Sequence, residues 1–212
     1  MIGDRLIIQD KHLRSAKKII QQVEDKNIVL IYGTSGTGKT ETADCLQELL
    51  FNKGMQSIVL SLDDFYTVHH KVRNYNRKKQ GLDSVGLKEI DWEHLRRICQ
   101  DFQNGKPLHT RRYHKYSDVV EHNIIESDEI NVLIFEGLYA GYMRKFDVGN
   151  VSVFLEGSPA QTLAFRKERR KEDENDDFRK QIVDKEHRII CQLKRYADLV
   201  IPFKDKKKEE KK

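Results

Sequence analysis

Eight consecutive residues, Gly33-Thr34-Ser35-Gly36-Thr37-Gly38-Lys39-Thr40, constrain this chain more than any others. They match the pattern G-x4-G-K-T in full. The apolar run Ile28–Tyr32 reads as a buried strand before the motif, and residues 39–52 read as a helix closed by Gly54. In that setting the glycines let successive N–H groups turn inward toward phosphate oxygens, and the dipole of the following helix adds to the attraction. Lys39 is then expected to neutralise the β- and γ-phosphates, and the Thr40 hydroxyl to coordinate Mg²⁺.

Strand and helix patterns alternate along the rest of the chain. A helix from about Asp10 places Leu13, Ala16, Ile20 and Val23 on one face. A second strand covers 56–62, a helix 91–103, a hairpin or irregular arm about 108–127, and further strands 131–136, 150–155 and 198–202. Ser158, Pro159 and Gln161 mark a helix start with a capping box. A last helix from about Asp177 buries Phe178, Ile182, Ile189 and Leu193. Residues 63–90 show no clear periodicity, and a loop that long signals function or movement. The pattern predicts an α/β fold with a mainly parallel sheet, one domain over 1–203, and a disordered charged tail at 204–212.

Composition removes several classes. The net charge of +5 is largely terminal, since the tail holds six lysines against three acids. A nearly balanced body argues against nonspecific nucleic-acid binding. No apolar stretch approaches the roughly 18 residues that cross a bilayer. Three scattered cysteines, Cys45, Cys99 and Cys191, point to reduced thiols in a cytoplasmic protein rather than to a disulfide framework or zinc site.

The second strand runs into Ser61-Leu62-Asp63-Asp64-Phe65-Tyr66. Residues just past the carboxyl end of such a strand face the ligand crevice, where an acid can take a proton from an attacking hydroxyl. The alternative is that both aspartates merely cap a turn. The run Val132–Phe135 ends in Glu136, placed to hold Mg²⁺. Arg166, Arg169 and Arg170 share one helix face and can close over a nucleotide or pair with the acids that follow. The run 71–79 holds five basic residues, which suit an acidic substrate, nucleic acid or water alike. A guanine-type N-K-x-D motif is absent, and the D-x-x-G match at 83–86 has no strand before it.

In their order, GTSGTGKT, SLDDFY, VLIFEG, the arginine helix and ADLVIP resemble the uridine kinase/phosphoribulokinase family of P-loop kinases over residues 28–202. The resemblance implies an ATP- and Mg²⁺-dependent kinase that phosphorylates a hydroxyl, with uridine or cytidine as the leading acceptor. It makes Asp63 the catalytic base and Asp91 the ligand of ribose hydroxyls. Tyr113 becomes the base-contacting tyrosine, Tyr66 a further substrate contact, and Arg166, Arg169 and Arg170 the arginines of a lid over about 158–176. Acceptor-binding segments fall at about 63–90 and 108–127. Where uridine kinases usually carry a YNFDHP-like segment this chain reads YNRKKQ, and the stretch Arg111–Tyr116 is strongly basic. An anionic acceptor, a sugar phosphate or carboxylated metabolite, therefore stands beside the nucleoside. A P-loop switch and a nucleic-acid-associated ATPase are the rivals from other classes, and a homo-oligomer stays open.

Overall fold

The computed structural model describes residues 6–168 and 176–203. Arg169, Arg170, the adjoining part of the expected lid and the 204–212 tail lie outside the described residues. The strands are β1 (Asn27–Gly33), β2 (Ser57–Ser61), β3 (Leu108–Tyr113), β4 (Val120–Ile125), β5 (Val132–Glu136), β6 (Val151–Glu156) and β7 (Leu199–Pro202). The helices are α1 (Asp10–Ile19), α2 (Lys39–Phe51), α3 (His70–Gln80), α4 (Trp92–Gln103), α5 (Pro159–Glu168) and α6 (Asp177–Leu193).

Five strands form a wholly parallel sheet in the order β2-β5-β1-β6-β7. β1 is central because both its faces are apolar. Ile28, Leu30 and Tyr32 enter one core with Phe65, Ile98, Phe102, Leu133, Phe135 and Ile190. Val29 and Ile31 enter the other with Ala16, Ile19, Leu46, Leu50 and Ile134. A parallel sheet covered on both faces requires such strands, and each fully buried Leu, Ile or Phe contributes about 1.5–3 kcal/mol. Tyr32 ties the layers together, its hydroxyl donating to the Leu193 carbonyl at 3.1 Å.

Two expectations are corrected. Residues 70–80 are helical, although their mean hydropathy is low and only Arg77 is buried, so the segment carries no apolar period to read. The helix at Asp10 buries His12, Ala16 and Ile19 rather than a face led by Leu13, which is left 37% exposed. Elsewhere the local chemistry holds. Ser158 Oγ accepts the Gln161 N–H at 3.2 Å while Gln161 Oε1 accepts the Ser158 N–H at 2.9 Å. The arm at 108–127 is an antiparallel hairpin of β3 and β4.

Candidate functional site

The phosphate loop joins β1 to α2 at the carboxyl edge of the sheet. Gly33 has a φ of +150°, and a Cβ there would stand 2.2 Å from the Leu155 carbonyl oxygen of β6. Only glycine lets the loop leave the sheet so close to its neighbour. Gly38 takes a left-handed conformation as the N-cap of α2. The Thr34 carbonyl gathers three donors: Thr37 N–H at 3.3 Å, Thr37 Oγ1 at 2.9 Å and Lys39 Nζ at 3.1 Å. Lys39 thus folds over the loop toward the acceptor oxygens that phosphate would supply. Thr40 is half-buried in the first turn of α2. Thr34 Oγ1 also lies 2.8 Å from His187 Nδ1 on α6, a contact that no sequence motif signals.

Two strands bring the acids to this loop. Glu136 pairs in register with Ser61 of β2 on one side and Ile31 of β1 on the other. It is 4% exposed. Burial pushes its carboxyl above the usual range, and the negative charge of Asp63 adds to this, while a hydrogen bond with Ser61 and the charge of Lys39 act the other way. Ser61, Asp63, Glu136 and Lys39 therefore form one electrostatic group. A hard divalent cation bridged to phosphates asks for only one or two protein oxygens, so the Glu136 carboxylate and Thr40 hydroxyl fit Mg²⁺. Among the described residues no cluster of three or more His, Cys, Asp or Glu could hold a metal without the phosphates.

The two neighbouring aspartates differ in burial and in partners. Asp63 is half-buried, and its negative charge acts on the Glu136 carboxyl. Asp64 is buried and accepts the Tyr113 N–H at 2.9 Å, docking the hairpin. Arg111 reinforces that joint, donating through Nε to the Asp64 carbonyl at 2.8 Å and through a terminal nitrogen to the Tyr66 carbonyl at 3.3 Å.

The other acceptor-side candidates gather around this joint. Tyr66 is 2% exposed, with the Arg73 guanidinium 3.3 Å above its ring centre. Two nitrogens of Arg73, Nε and one terminal, are buried without a hydrogen-bond partner. Asp91 caps α4 by accepting the His94 N–H at 3.2 Å and turns its other oxygen toward Arg111 at 3.5 Å. Tyr113 is 7% exposed, with the His69 ring edge-on at 5.0 Å. Sequence reasoning missed the network beneath them. Arg77 makes two 2.7 Å bonds to Glu89 and lies 3.2 Å from Glu186 on α6, with Arg77 and Glu186 buried and Glu89 half-buried. The only signal was an arginine inside a basic run.

Arg166 turns inward. It is 4% exposed and donates to the Pro159 carbonyl at 2.9 Å and to Thr162 Oγ1 at 2.6 Å. Its side chain and Thr162 pack against Gly36 so closely that a Cβ there would lie 3.1 Å from both. Arg166 therefore braces the phosphate loop from α5, and Arg169 and Arg170 lie beyond the described residues.

The model of the Phosphoribulokinase / Uridine kinase family matches residues 28–208. The chain is 31% identical over 194 residues to the bifunctional alpha-galactosidase/sucrose kinase AgaSK of Mediterraneibacter gnavus, a match covering 84% of this chain and 20% of that protein. It is 24% identical over 140 residues to a uridine kinase of Ureaplasma urealyticum, covering 66% of each. The chain thus spans a fifth of the first relative and just under two thirds of the second. Its fold is similar to the crystal structure of a candidate fructose transport system kinase from Silicibacter sp. TM1040, with a TM-score of 0.63, 17% identity, and coverage of 90% of this chain and 98% of that one.

Proposed function

The chain belongs to the phosphoribulokinase/uridine kinase family, and from that membership we propose that it transfers the γ-phosphoryl group of ATP to a hydroxyl of a small carbohydrate. The observation that supports the reading is that the charges of Asp63 and Lys39 both act on the buried Glu136 carboxyl while Asp64 is occupied in docking the hairpin. Asp63 orients the acceptor hydroxyl and takes its proton as the oxygen attacks. Lys39 and the N–H groups of residues 33–40 hold the β- and γ-phosphates, Arg166 braces the loop from α5, and Arg169 and Arg170 are the arginines proposed to support the developing charge. Mg²⁺, held from Thr40 and Glu136, would neutralise phosphate charge. Positioning and electrostatics of this kind suffice for phosphoryl transfer. We place the reaction in the cytoplasm, carried by one domain over 1–203.

A carbohydrate acceptor is supported by the likeness to a protein named in part as a sucrose kinase. The acceptor side also offers hydrogen-bonding groups, Asp91, Arg111 and the unpartnered nitrogens of Arg73, rather than an open ring face. Arginine donors of this kind suit a diol or an anionic substituent equally. A pyrimidine nucleoside is the second reading, favoured by the likeness to uridine kinases and by Tyr113 and Asp91 lying on that side. ADP release from MgATP decides between them, measured with neutral sugars, sugar phosphates, glycerate, uridine and cytidine and without acceptor. Stimulation by a sugar or sugar phosphate is the expected result. Stimulation confined to uridine or cytidine establishes the nucleoside, and ADP release indifferent to every acceptor overturns the kinase reading.

A further inference from the structure

The phosphate loop is braced from four sides. Gly33 stands against the Leu155 carbonyl of β6, Gly36 against Thr162 and Arg166 of α5, and Gly38 against the His12 ring of α1. The fourth brace comes from α6 and grips Thr34. That residue is 1% exposed, and among the described residues its hydroxyl has one polar partner, His187 Nδ1 at 2.8 Å. Leu30 and Tyr32 point to the side of the sheet that α6 covers with Ile190 and Leu193, and Thr34, two residues further on, continues that direction. His187 sits half-buried at the edge of the buried stripe of α6.

Helix α6 does not need this bond to stay in place. Ile182, Val183, Ile190 and Leu193 are buried, Tyr32 donates to the Leu193 carbonyl at 3.1 Å, and Glu186 lies 3.2 Å from Arg77. The helix is therefore the fixed partner and Thr34 the one held. Thr34 in turn offers its carbonyl to the Thr37 hydroxyl and to Lys39 Nζ, so a rotation of this residue carries away the oxygen on which the lysine folds. Burial pushes the His187 imidazole below its ordinary value of 6.5, against the opposing charge of Asp184, so the ring is neutral near neutral pH. A neutral ring bonds a hydroxyl in either tautomer and brings no charge of its own to the phosphates. Its other nitrogen, Nε2, lies 3.5 Å from Cys191 Sγ on the next turn.

We propose that His187 is a positioning residue for the nucleotide: from a helix anchored elsewhere it fixes the Thr34 side chain, and through it the conformation in which the loop receives the triphosphate. This rests on the nucleotide-binding reading above and adds to it a determinant 153 residues away from Thr34 in the chain. A loop ordered before the ligand arrives spends less of the binding free energy on its own ordering. Losing the His187 bond leaves the Thr34 hydroxyl buried without a partner, so the side chain turns to find one and the loop loses that order.

Titration calorimetry of the full chain with MgATP and with magnesium tripolyphosphate, which has the phosphates but no base, reads the loop directly. His187→Leu keeps much of the packing and removes the bond. Both ligands are expected to weaken about ten-fold, with the melting temperature within about 3 °C of wild type. His187→Asn carries an amide atom as many bonds from the backbone as Nδ1, whereas His187→Gln carries it as far out as Nε2. The asparagine variant is expected to bind both ligands within about two-fold of wild type, and the glutamine variant to stay weak. Wild-type affinity in His187→Leu overturns the proposal. So does an asparagine variant as weak as the leucine one, which would leave His187 a packing role only. Should His187→Leu fail to fold, the other two variants decide, and equal affinities in them overturn the proposal. A wild-type chain that binds neither ligand removes the nucleotide reading itself, a result seen before any variant is compared.

Discussion

Asp64 Oδ1 accepts the backbone N–H of Tyr113 at 2.9 Å, across 49 residues of chain. That bond moors the β3–β4 hairpin to the turn after β2, while the charge of the preceding residue, Asp63, acts on the Glu136 carboxyl. Under the proposed function two adjacent residues of one chemical type have separable roles, one in the reaction and one in assembling the acceptor side.

Replacing Asp63 by Asn keeps size and polarity and removes the base. Turnover is expected to fall about 10²- to 10⁴-fold with MgATP affinity retained, as read by steady-state kinetics and calorimetry. Near-normal turnover would show that another group accepts the proton.

Asp64 carries a pH signature. Burial raises its carboxyl above the ordinary value of 3.8, and the Tyr113 N–H offsets this only in part. A carboxyl raised in the folded state stabilises the fold fully below its unfolded value, and that contribution is lost as pH rises through the folded value. Asp64→Asn keeps an acceptor for Tyr113 without the charge. Its melting temperature should exceed that of wild type near neutral pH, and the gap should close as pH falls toward 4. A gap independent of pH would contradict the assignment.

Arg77 is held by Glu89 and Glu186 together, so removing it strands two carboxylates, one of them buried. Arg77→Met is expected to cost about 3–5 kcal/mol in urea unfolding. Glu186→Gln retains an acceptor 3.2 Å away, and burial already disfavours the charge on Glu186, so its cost should stay below about 1 kcal/mol. Equal costs would mean that the network contributes through packing alone.

Gly33→Ala places a methyl group against the Leu155 carbonyl at a backbone angle that side chains avoid. The loop and β6 must separate, at a cost of about 3 kcal/mol or more, visible as a lower melting temperature together with lost MgATP binding.

The sequence by itself determined whatever local chemistry dictates. Gly33, Gly36 and Gly38 impose a phosphate loop because only glycine accepts those backbone angles at no steric cost, and the apolar runs on either side demand a strand and a helix. The reciprocal bonds of Ser158 and Gln161 start α5, and continuous apolar strands require a sheet covered on both faces. The resemblance named the motif positions from the same short windows. The tertiary structure decided matters that depend on distant partners. That Asp64 is taken up in docking the hairpin follows from a backbone N–H 49 residues away. Helix α3 has no apolar stripe of its own and is held by an arginine whose partners come from residue 89 and from α6. Arg166, read in the sequence as an arginine that closes over the nucleotide or pairs with the acids that follow, turns inward because Thr162, Pro159 and Gly36 give its guanidinium and stem a place. Periodicity and motif report what a residue does to its own few neighbours along the chain. A charge buried among groups a hundred residues away is decided by packing, which short sequence windows do not contain.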